Sequence, residues 1–331
     1  MKLIIDSAIP FIKGVLEPYA EVVYCAGSEI NRRLVSDCDA LIVRTRTRCD
    51  EALLANSRVK FIATATIGTD HIDLAWCKAN GISVASAAGC NARGVLQWVA
   101  AALKEICTED NRRPEEYCVG VVGVGNVGSL VAEYAERWGF RVLKCDPPRQ
   151  QREGGDFVDI DTILRECNII TLHTPLDATT EHLINEHNID LIAPDATIIN
   201  ASRGAVVDNG AVLRSGLRYM FDVWEDEPNL DGDILAGATL STPHIAGYSR
   251  QGKANATSMV VRALAHHFAL PLTEWYPEGM TSCEARDISW EEMCRTIVHY
   301  FSIKEQTEEL KSSPNKFEAL RNNYTYREEY F

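Results

Sequence analysis

The sequence has little positive charge and no long apolar stretch. Its 47 acidic residues outnumber 33 lysines and arginines, which gives a formal net charge of −14. This balance argues against a nucleic-acid backbone or an anionic membrane surface as a partner. No apolar run is long enough to span a bilayer, and the first run, Leu3–Ile5, is too short for a signal peptide. We therefore expect a cytoplasmic protein with neither a nucleic-acid nor a membrane partner.

The cysteines also lack organisation. The chain has 11 of them, an odd number, and they are scattered. There is no C-x-x-C pair and no Cys/His cluster with the spacing of a zinc site. This pattern predicts reduced thiols in a reducing compartment and no metal site.

What the chain does have is a regular alternation of elements in its first ninety residues. Helical patterns, for example Ile9–Tyr19 and His71–Asn80, separate short apolar runs that favour strands. Such alternation predicts a mostly parallel sheet with flanking helices. The predicted strands are Leu3–Ile5, Glu21–Tyr24, Ala40–Val43, Lys60–Ala65 and Ile82–Ala85.

A glycine-rich turn follows, more than a third of the way along the chain. Gly123, Gly125 and Gly128 form G-x-G-x-x-G between an apolar strand pattern at Val119–Val122 and a helical pattern. In such a turn the first glycine permits the bend, the second lets a pyrophosphate approach, and the third lets helix and strand pack closely. The helix N-terminus then offers free N–H groups to the phosphates. The segment predicts a dinucleotide-binding unit.

Asp146 ends the next predicted strand, 18 residues after Gly128. A carboxylate at this place accepts hydrogen bonds from the adenosine ribose and repels a 2′-phosphate, so NAD is favoured over NADP. Arg149 leaves NADP open as the alternative cofactor, because an arginine here can accommodate that phosphate.

Later strand patterns extend this unit to about residue 243. They lie at 169–172, 197–200, 219–223 and 239–241, and together they predict a doubly wound sheet. Long helices are expected at Asn91–Cys107 and Gln251–Phe268. From residue 273 helical spacing continues, and a small third domain or an oligomer arm is expected there. The spacing is carried by Trp290, Met293, Cys294 and Ile297.

Three ionisable residues follow the apolar strand patterns of this sheet. Ligands bind at the carboxyl ends of parallel strands, so Arg203, Glu227 and His244 are candidate catalytic residues. An arginine can hold a carboxylate through two hydrogen bonds, and an imidazole can exchange a proton near neutral pH. Glu227 can orient His244, although it stands in an acidic run that suits a solvated surface. His173 also ends a strand, so position alone does not select His244.

Several of these motifs together resemble the D-2-hydroxyacid dehydrogenases. The similarity runs from residue 1 to about 270 and is closest to a branch that acts on a phosphorylated acid. The family motifs are Thr64–Asp73, the glycine turn, His173–Pro175, Ser202–Gly204, Asp222–Pro228 and Thr242–Gly247. The branch motifs are Ala88–Ala92, Cys145–Arg149, Arg203–Asn209, Pro243–Tyr248 and, more weakly, Leu320–Tyr324.

The resemblance implies an α/β fold of two doubly wound parallel-sheet domains. A Rossmann NAD domain, 93–249, would be inserted in a flavodoxin-like substrate domain formed by 1–92 and 250–272. Residues 273–331 would form a small C-terminal α+β dimerisation domain, so a homodimer is expected.

The resemblance also implies roles for individual residues. Arg203 would hold the substrate carboxylate, His244 would take the C2 hydroxyl proton, and Glu227 would orient His244. The substrate would also contact Thr45, Thr66, Arg44 and Arg46. Arg48 is a further candidate for binding a substrate phosphate. NAD would meet Gly123, Gly125, Asn126, Val127, Gly128, Asp146, Thr174, Ala201, Ser202, Arg203, Asp222, Gly247 and Tyr248.

The expected activity is therefore NAD-dependent oxidation of a small phosphorylated 2-hydroxy acid. A second interpretation is a dehydrogenase for another acid, such as 3-phosphoglycerate. A third is a non-catalytic NAD-sensing protein on the same fold, although such a sensor need not keep Arg203, Glu227 and His244 together.

Overall fold

Two compact units make up the fold. The computed structural model describes residues 1–283 and 285–331. Unit 1 consists of Met1–Asn91 and Arg250–Cys283, and unit 2 consists of Ala92–Ser249 with the C-terminal segment that ends at Phe331. The predicted domain boundaries at 92–93 and 249–250 lie next to the limits of these units.

Short strands form one sheet in each unit. Most central strands are buried along their whole length, as expected for parallel strands covered on both faces. The strands of unit 1 are β1 (Lys2–Asp6), β2 (Glu21–Cys25), β3 (Ala40–Val43), β4 (Phe61–Thr64) and β5 (Ser83–Ser86). Those of unit 2 are β6 (Cys118–Val122), β7 (Arg141–Cys145), β8 (Ile169–Leu172), β9 (Thr197–Asn200), β10 (Arg218–Phe221) and β11 (Leu240–Ser241).

Helices connect and cover these strands. In chain order they are α1 (Arg32–Val35), α2 (Glu51–Leu54), α3 (Leu74–Ala79), α4 (Ala92–Asp110), α5 (Asn126–Arg137), α6 (Pro147–Glu153), α7 (Ile160–Glu166), α8 (Asn209–Ser215), α9 (Gly232–Gly237), α10 (Arg250–Phe268), α11 (Trp290–Tyr300), α12 (Ile303–Ser312) and α13 (Phe317–Asn323). None of these described helices is long and apolar enough to cross a membrane.

Both sheets are parallel, and in each of them the order in which strands are added reverses once. The order is β2-β1-β3-β4-β5 in unit 1 and β11-β10-β9-β8-β6-β7 in unit 2. In unit 2 the chain leaves β7 and returns to β8 on the other side of β6, which places a crevice at the carboxyl end of β6. The prediction of two doubly wound parallel sheets is confirmed.

One predicted helix is wrong. Residues 9–19 form turns, although Ile9, Ile12 and Leu16, which are spaced as on one face of a helix, are all buried. Phe11 and Gly14 both have positive φ, +61° and +84°, which a right-handed helix does not allow. Near the other predicted helix, His71–Asn80, the helical residues begin only at Leu74, where the Asp73 side chain caps α3.

The C-terminal segment is helical and packs with unit 2. Its predicted α+β character is wrong for the described residues, because they contain α11, α12 and α13 and only an isolated bridge between Ser249 and Arg327. Phe331 is fully buried with Tyr134 and Trp138 of α5 and its C-cap, at ring centroid distances of 5.6 and 6.0 Å. These aromatic contacts dock the segment on the sheet-covering helices.

Candidate functional site

The glycine turn at the end of β6 has the shape that a pyrophosphate requires. Gly123 has φ +83°, in the region that favours glycine. A side chain at Gly128 would overlap the carbonyl oxygen of Gly123, so helix and turn pack in close contact. At Gly125 there is open space, and none of the described side chains caps the start of α5. The exposed N–H groups there are free to face an anion.

Asp146 and Arg149 brace this turn. The Asp146 carboxylate accepts hydrogen bonds from the Val124 amide at 2.8 Å and the Arg149 amide at 2.9 Å. The Arg149 guanidinium donates to the Val124 carbonyl at 2.7 Å and the Ser129 hydroxyl at 3.0 Å, and it pairs with Glu153. The Arg149 guanidinium is thus already bound to the turn and to Glu153, which argues against its binding the 2′-phosphate of NADP.

Thr174 and His173 follow the neighbouring strand, β8. The Thr174 hydroxyl is buried and has no hydrogen-bond partner among the described residues. His173 pairs through Nε2 with the Thr171 hydroxyl at 3.0 Å, and burial lowers the pKa of His173 to about 3. The open glycine turn and the unpaired Thr174 hydroxyl fit NAD, and a neutral His173 is unsuited to proton exchange.

Glu227 and His244 form a carboxylate–imidazole pair. Glu227 Oε2 lies 2.8 Å from His244 Nδ1, and Oε1 accepts a hydrogen bond from the Trp224 amide at 3.0 Å. Burial raises the pKa of Glu227, but the hydrogen bond and charge of His244, with smaller effects of Trp224 and Arg321, lower it below its usual range. The carboxylate therefore stays ionised and orients the imidazole.

Asp222 organises the loop that carries His244. Its side chain is 1% exposed and accepts hydrogen bonds from Thr242 Oγ1 at 2.5 Å, the Ile245 amide at 2.7 Å and the Ala246 amide at 2.9 Å. His244 itself has φ +57°, and its amide donates to the Asp222 carbonyl at 2.8 Å. These bonds hold an uncommon backbone conformation at the candidate base. The predicted contact of Asp222 with NAD stays a prediction.

Arg203 lies on a loop fixed by Asn200. The Asn200 amide oxygen accepts from the amide and hydroxyl of Ser202, and its nitrogen donates to the Arg203 carbonyl at 2.9 Å. The next residue, Gly204, packs so closely that a side chain there would overlap the backbone of Trp224. The loop carrying Arg203 therefore rests on the loop that leads to Glu227.

Residues far along the chain also support the His244 loop. The buried Arg327 side chain donates to the carbonyls of Ile245, at 3.0 Å, and Tyr248, at 3.1 Å, and also to that of Ala246. Arg321 donates from Nε to the Tyr248 hydroxyl at 3.1 Å. Sequence reasoning missed both arginines, since no strand pattern precedes them; the weak motif Leu320–Tyr324 was the only pointer.

The candidate substrate residues of unit 1 lie on two loops. β3 ends at Val43, so Arg44, Thr45 and Arg46 belong to a turn and not to a strand, and Thr45 and Arg46 are exposed. Arg48 pairs with Asp50 at 2.9 Å.

A hydroxyl chain holds Thr66 after β4. Its Oγ1 lies 2.6 Å from Thr64 Oγ1, which lies 3.0 Å from His71 Nε2. Burial lowers the pKa of His71 despite the nearby Asp70, which favours a neutral ring in this chain of hydrogen bonds. Thr66 is therefore held in one orientation.

Comparison with known proteins defines the class. Residues 97–246 match the NAD-binding domain of the D-isomer-specific 2-hydroxyacid dehydrogenases. A D-lactate dehydrogenase from Aquifex aeolicus, solved with NAD and lactic acid, is 26% identical with a TM-score of 0.68, covering 85% of this chain and all of that one. The 3-phosphoglycerate dehydrogenase of Entamoeba histolytica, 24% identical over 85% of this chain and 99% of that one, shares the fold with a TM-score of 0.69.

Curated relatives are similar over nearly the whole chain. The erythronate-4-phosphate dehydrogenase of Bacteroides thetaiotaomicron is 42% identical, over 99% of this chain and 97% of the relative. That of Azotobacter vinelandii is 39% identical, over 99% and 93%. The chain therefore belongs to the erythronate-4-phosphate dehydrogenase family, within the D-isomer-specific 2-hydroxyacid dehydrogenases.

Proposed function

We propose that the protein oxidises 4-phospho-D-erythronate to (3R)-3-hydroxy-2-oxo-4-phosphooxybutanoate with NAD, a step in pyridoxal 5′-phosphate biosynthesis. The observation that carries the proposal is the Glu227–His244 pair, joined at 2.8 Å beyond the carboxyl ends of β10 and β11. The substrate follows from the names of relatives that are 36–42% identical over the whole chain or nearly all of it.

His244 acts as the base in this reaction. With Nδ1 bound to Glu227, Nε2 is the nitrogen that takes the proton of the C2 hydroxyl. Bound NAD supplies the acceptor for the hydride that leaves C2. The products are the 2-oxo acid, NADH and a proton, and the Glu227 carboxylate stabilises the imidazolium while it carries that proton.

Arg203 binds the substrate carboxylate in this proposal. A guanidinium offers two parallel donors to a carboxylate, which fixes the orientation of C2. Asn200 and Gly204 hold the Arg203 backbone from both sides. Thr45 and Thr66 would bind the substrate, and Arg44 or Arg46 its phosphate.

Two further properties belong to the proposal. The C-terminal helices would mediate a homodimer, and the enzyme would work in the cytoplasm. Light scattering of the purified protein tests the first, with a mass of two chains as the expected result.

A substrate panel tests the activity. Purified protein is assayed for NADH formation with 4-phospho-D-erythronate, D-erythronate, 3-phosphoglycerate and D-lactate, each with NAD or NADP. We expect the highest kcat/KM with 4-phospho-D-erythronate and NAD, and a loss of about 100-fold without the phosphate, since a site built for a charged group rejects the analogue that lacks it.

The same panel distinguishes the other interpretations. The His244→Asn variant, prepared in parallel, controls for contaminating host dehydrogenases. A higher kcat/KM with 3-phosphoglycerate than with 4-phospho-D-erythronate would identify 3-phosphoglycerate as the substrate instead. NAD binding by calorimetry without turnover of any acid would favour the NAD-sensing protein instead.

A further inference from the structure

The last described helix, α13, is fixed against the core of unit 2. Phe317 at its start is 1% exposed and belongs to the same hydrophobic cluster as Trp224, and Leu320 packs against that cluster. Trp224 in turn donates its amide to Glu227. The next residue after Leu320 is therefore held at a defined place beside the Glu227 loop.

That residue, Arg321, bridges two parts of the candidate active site. Its Nη1 lies 3.8 Å from Glu227 Oε2, the same oxygen that faces His244 Nδ1. Its Nε donates to the Tyr248 hydroxyl at 3.1 Å, and its guanidinium carbon lies 5.9 Å from the centre of the Tyr248 ring. The side chains of Glu227 and Arg321 are only 18% and 32% exposed, so water screens the interaction incompletely.

The charge of Arg321 acts on the Glu227–His244 pair. Among the described residues, the ionisable side chains that act on the pair from neighbouring elements include Asp222, buried beneath the His244 loop, and Arg321 on α13. A cation beside the shared oxygen weakens the attraction of Glu227 for a proton on His244. Without Arg321, the pair would keep its proton to higher pH.

We propose that Arg321 is a positioning residue, which fixes the Glu227 carboxylate and the Tyr248 ring from the C-terminal segment and tunes the proton affinity of the Glu227–His244 pair. The inference rests on the proposed function, because it assigns the pair its role as base. It gives the C-terminal segment a part in catalysis within the same chain.

Three variants test the proposal by kinetics. Arg321→Met removes the charge but keeps the apolar stem, Arg321→Lys keeps the charge but not the fork, and Arg295→Met on α11 removes an exposed arginine of the same segment. We expect Arg321→Met to lower kcat about 10-fold, since misplacing a catalytic group is costly. The kcat of Arg321→Lys should fall less, and the kcat of Arg295→Met should match that of the wild type.

The pH profile separates tuning from a merely structural role. For Arg321→Met, the acidic limb of kcat/KM should move up by about 0.5–1 pH unit, the size expected for one partly screened charge. For Arg321→Lys the limb should stay in place. A lower melting temperature of Arg321→Met with an unmoved limb would overturn the proposal. If that variant does not fold, Arg321→Gln is measured with the same expectations.

A second readout needs no turnover. The imidazole resonance of His244, assigned by its absence in His244→Asn, is followed by NMR as the pH changes. We expect its midpoint to move to higher pH in Arg321→Met and not in Arg295→Met. Equal midpoints in the wild type and Arg321→Met would overturn the inference about Arg321 even with full activity. If the wild type oxidises no 2-hydroxy acid, the proposed function fails, while the titration still decides whether Arg321 acts on the pair.

Discussion

At the scale of single residues, two histidines that follow strands of unit 2 differ in their neighbours. His173 pairs with a threonine hydroxyl, and burial keeps its pKa near 3. His244 pairs with the carboxylate of Glu227. The sequence predicted both positions but could not choose between them, because the deciding neighbour lies on another loop. The pairing favours His244 as the base.

Replacing His244 with asparagine should abolish most proton transfer. We expect kcat to fall by about 10²–10⁴-fold, the usual contribution of an acid–base group. The affinity for NAD should stay close to that of the wild type, because His244 is assigned to the substrate proton and is not among the residues predicted to bind NAD. Steady-state kinetics and calorimetry check both values.

The exposed His187 provides the matched control. Its side chain is 84% exposed, so His187→Asn should keep the wild-type kcat. A His244→Asn enzyme with near wild-type turnover would refute the assignment of the base.

At the scale of elements, the loops after β9 and β10 support each other. The carboxyl ends of β9 and β10 are neighbours in the sheet, so Arg203 and Glu227 lie on adjacent loops. The sequence predicted only that both residues follow strands of one parallel sheet. It did not predict how tightly these loops meet. Gly204 leaves no room for a side chain against the backbone of Trp224, and only the structure shows this approach.

Adding a methyl group at Gly204 should therefore be damaging. We expect Gly204→Ala to lower the free energy of unfolding by about 2–4 kcal/mol, since the overlap is with backbone and overpacking forces the backbone to shift. It should also lower kcat, because both loops move. Urea unfolding and steady-state kinetics measure the two effects.

Gly232 at the start of α9 is the matched control. It has open space and no positive φ, so Gly232→Ala should change the free energy of unfolding by less than about 1 kcal/mol. Equal stability of the two variants would contradict the close contact between the loops.

Sequence patterns predicted some elements better than others. The central strands were found nearly residue by residue, because a strand buried on both faces is a continuous apolar run. The helix prediction for residues 9–19 was wrong because the buried residues there repeat with helical spacing, while Phe11 and Gly14 adopt positive φ. A turn that buries every third or fourth side chain has the same pattern as a helix.

At the scale of the whole molecule, the chain forms two units, and the C-terminal segment belongs to the second. The prediction of an NAD domain followed from a local motif, and the family match confirms it. The part played by the C-terminal segment could not be predicted in the same way. Its contacts with the His244 loop, through Arg321 and Arg327, join residues distant in the sequence that share no local pattern.

The central claim is that the protein moves a hydride from C2 of 4-phospho-D-erythronate to NAD, with His244 taking the hydroxyl proton. The most direct measurement uses substrate deuterated at C2 and mass spectrometry of the NADH. We predict one deuterium in the NADH for each 2-oxo acid formed by the wild type, and almost no product from His244→Asn in the same time. Formation of the 2-oxo acid with unlabelled NADH, or no NADH at all, would contradict the claim.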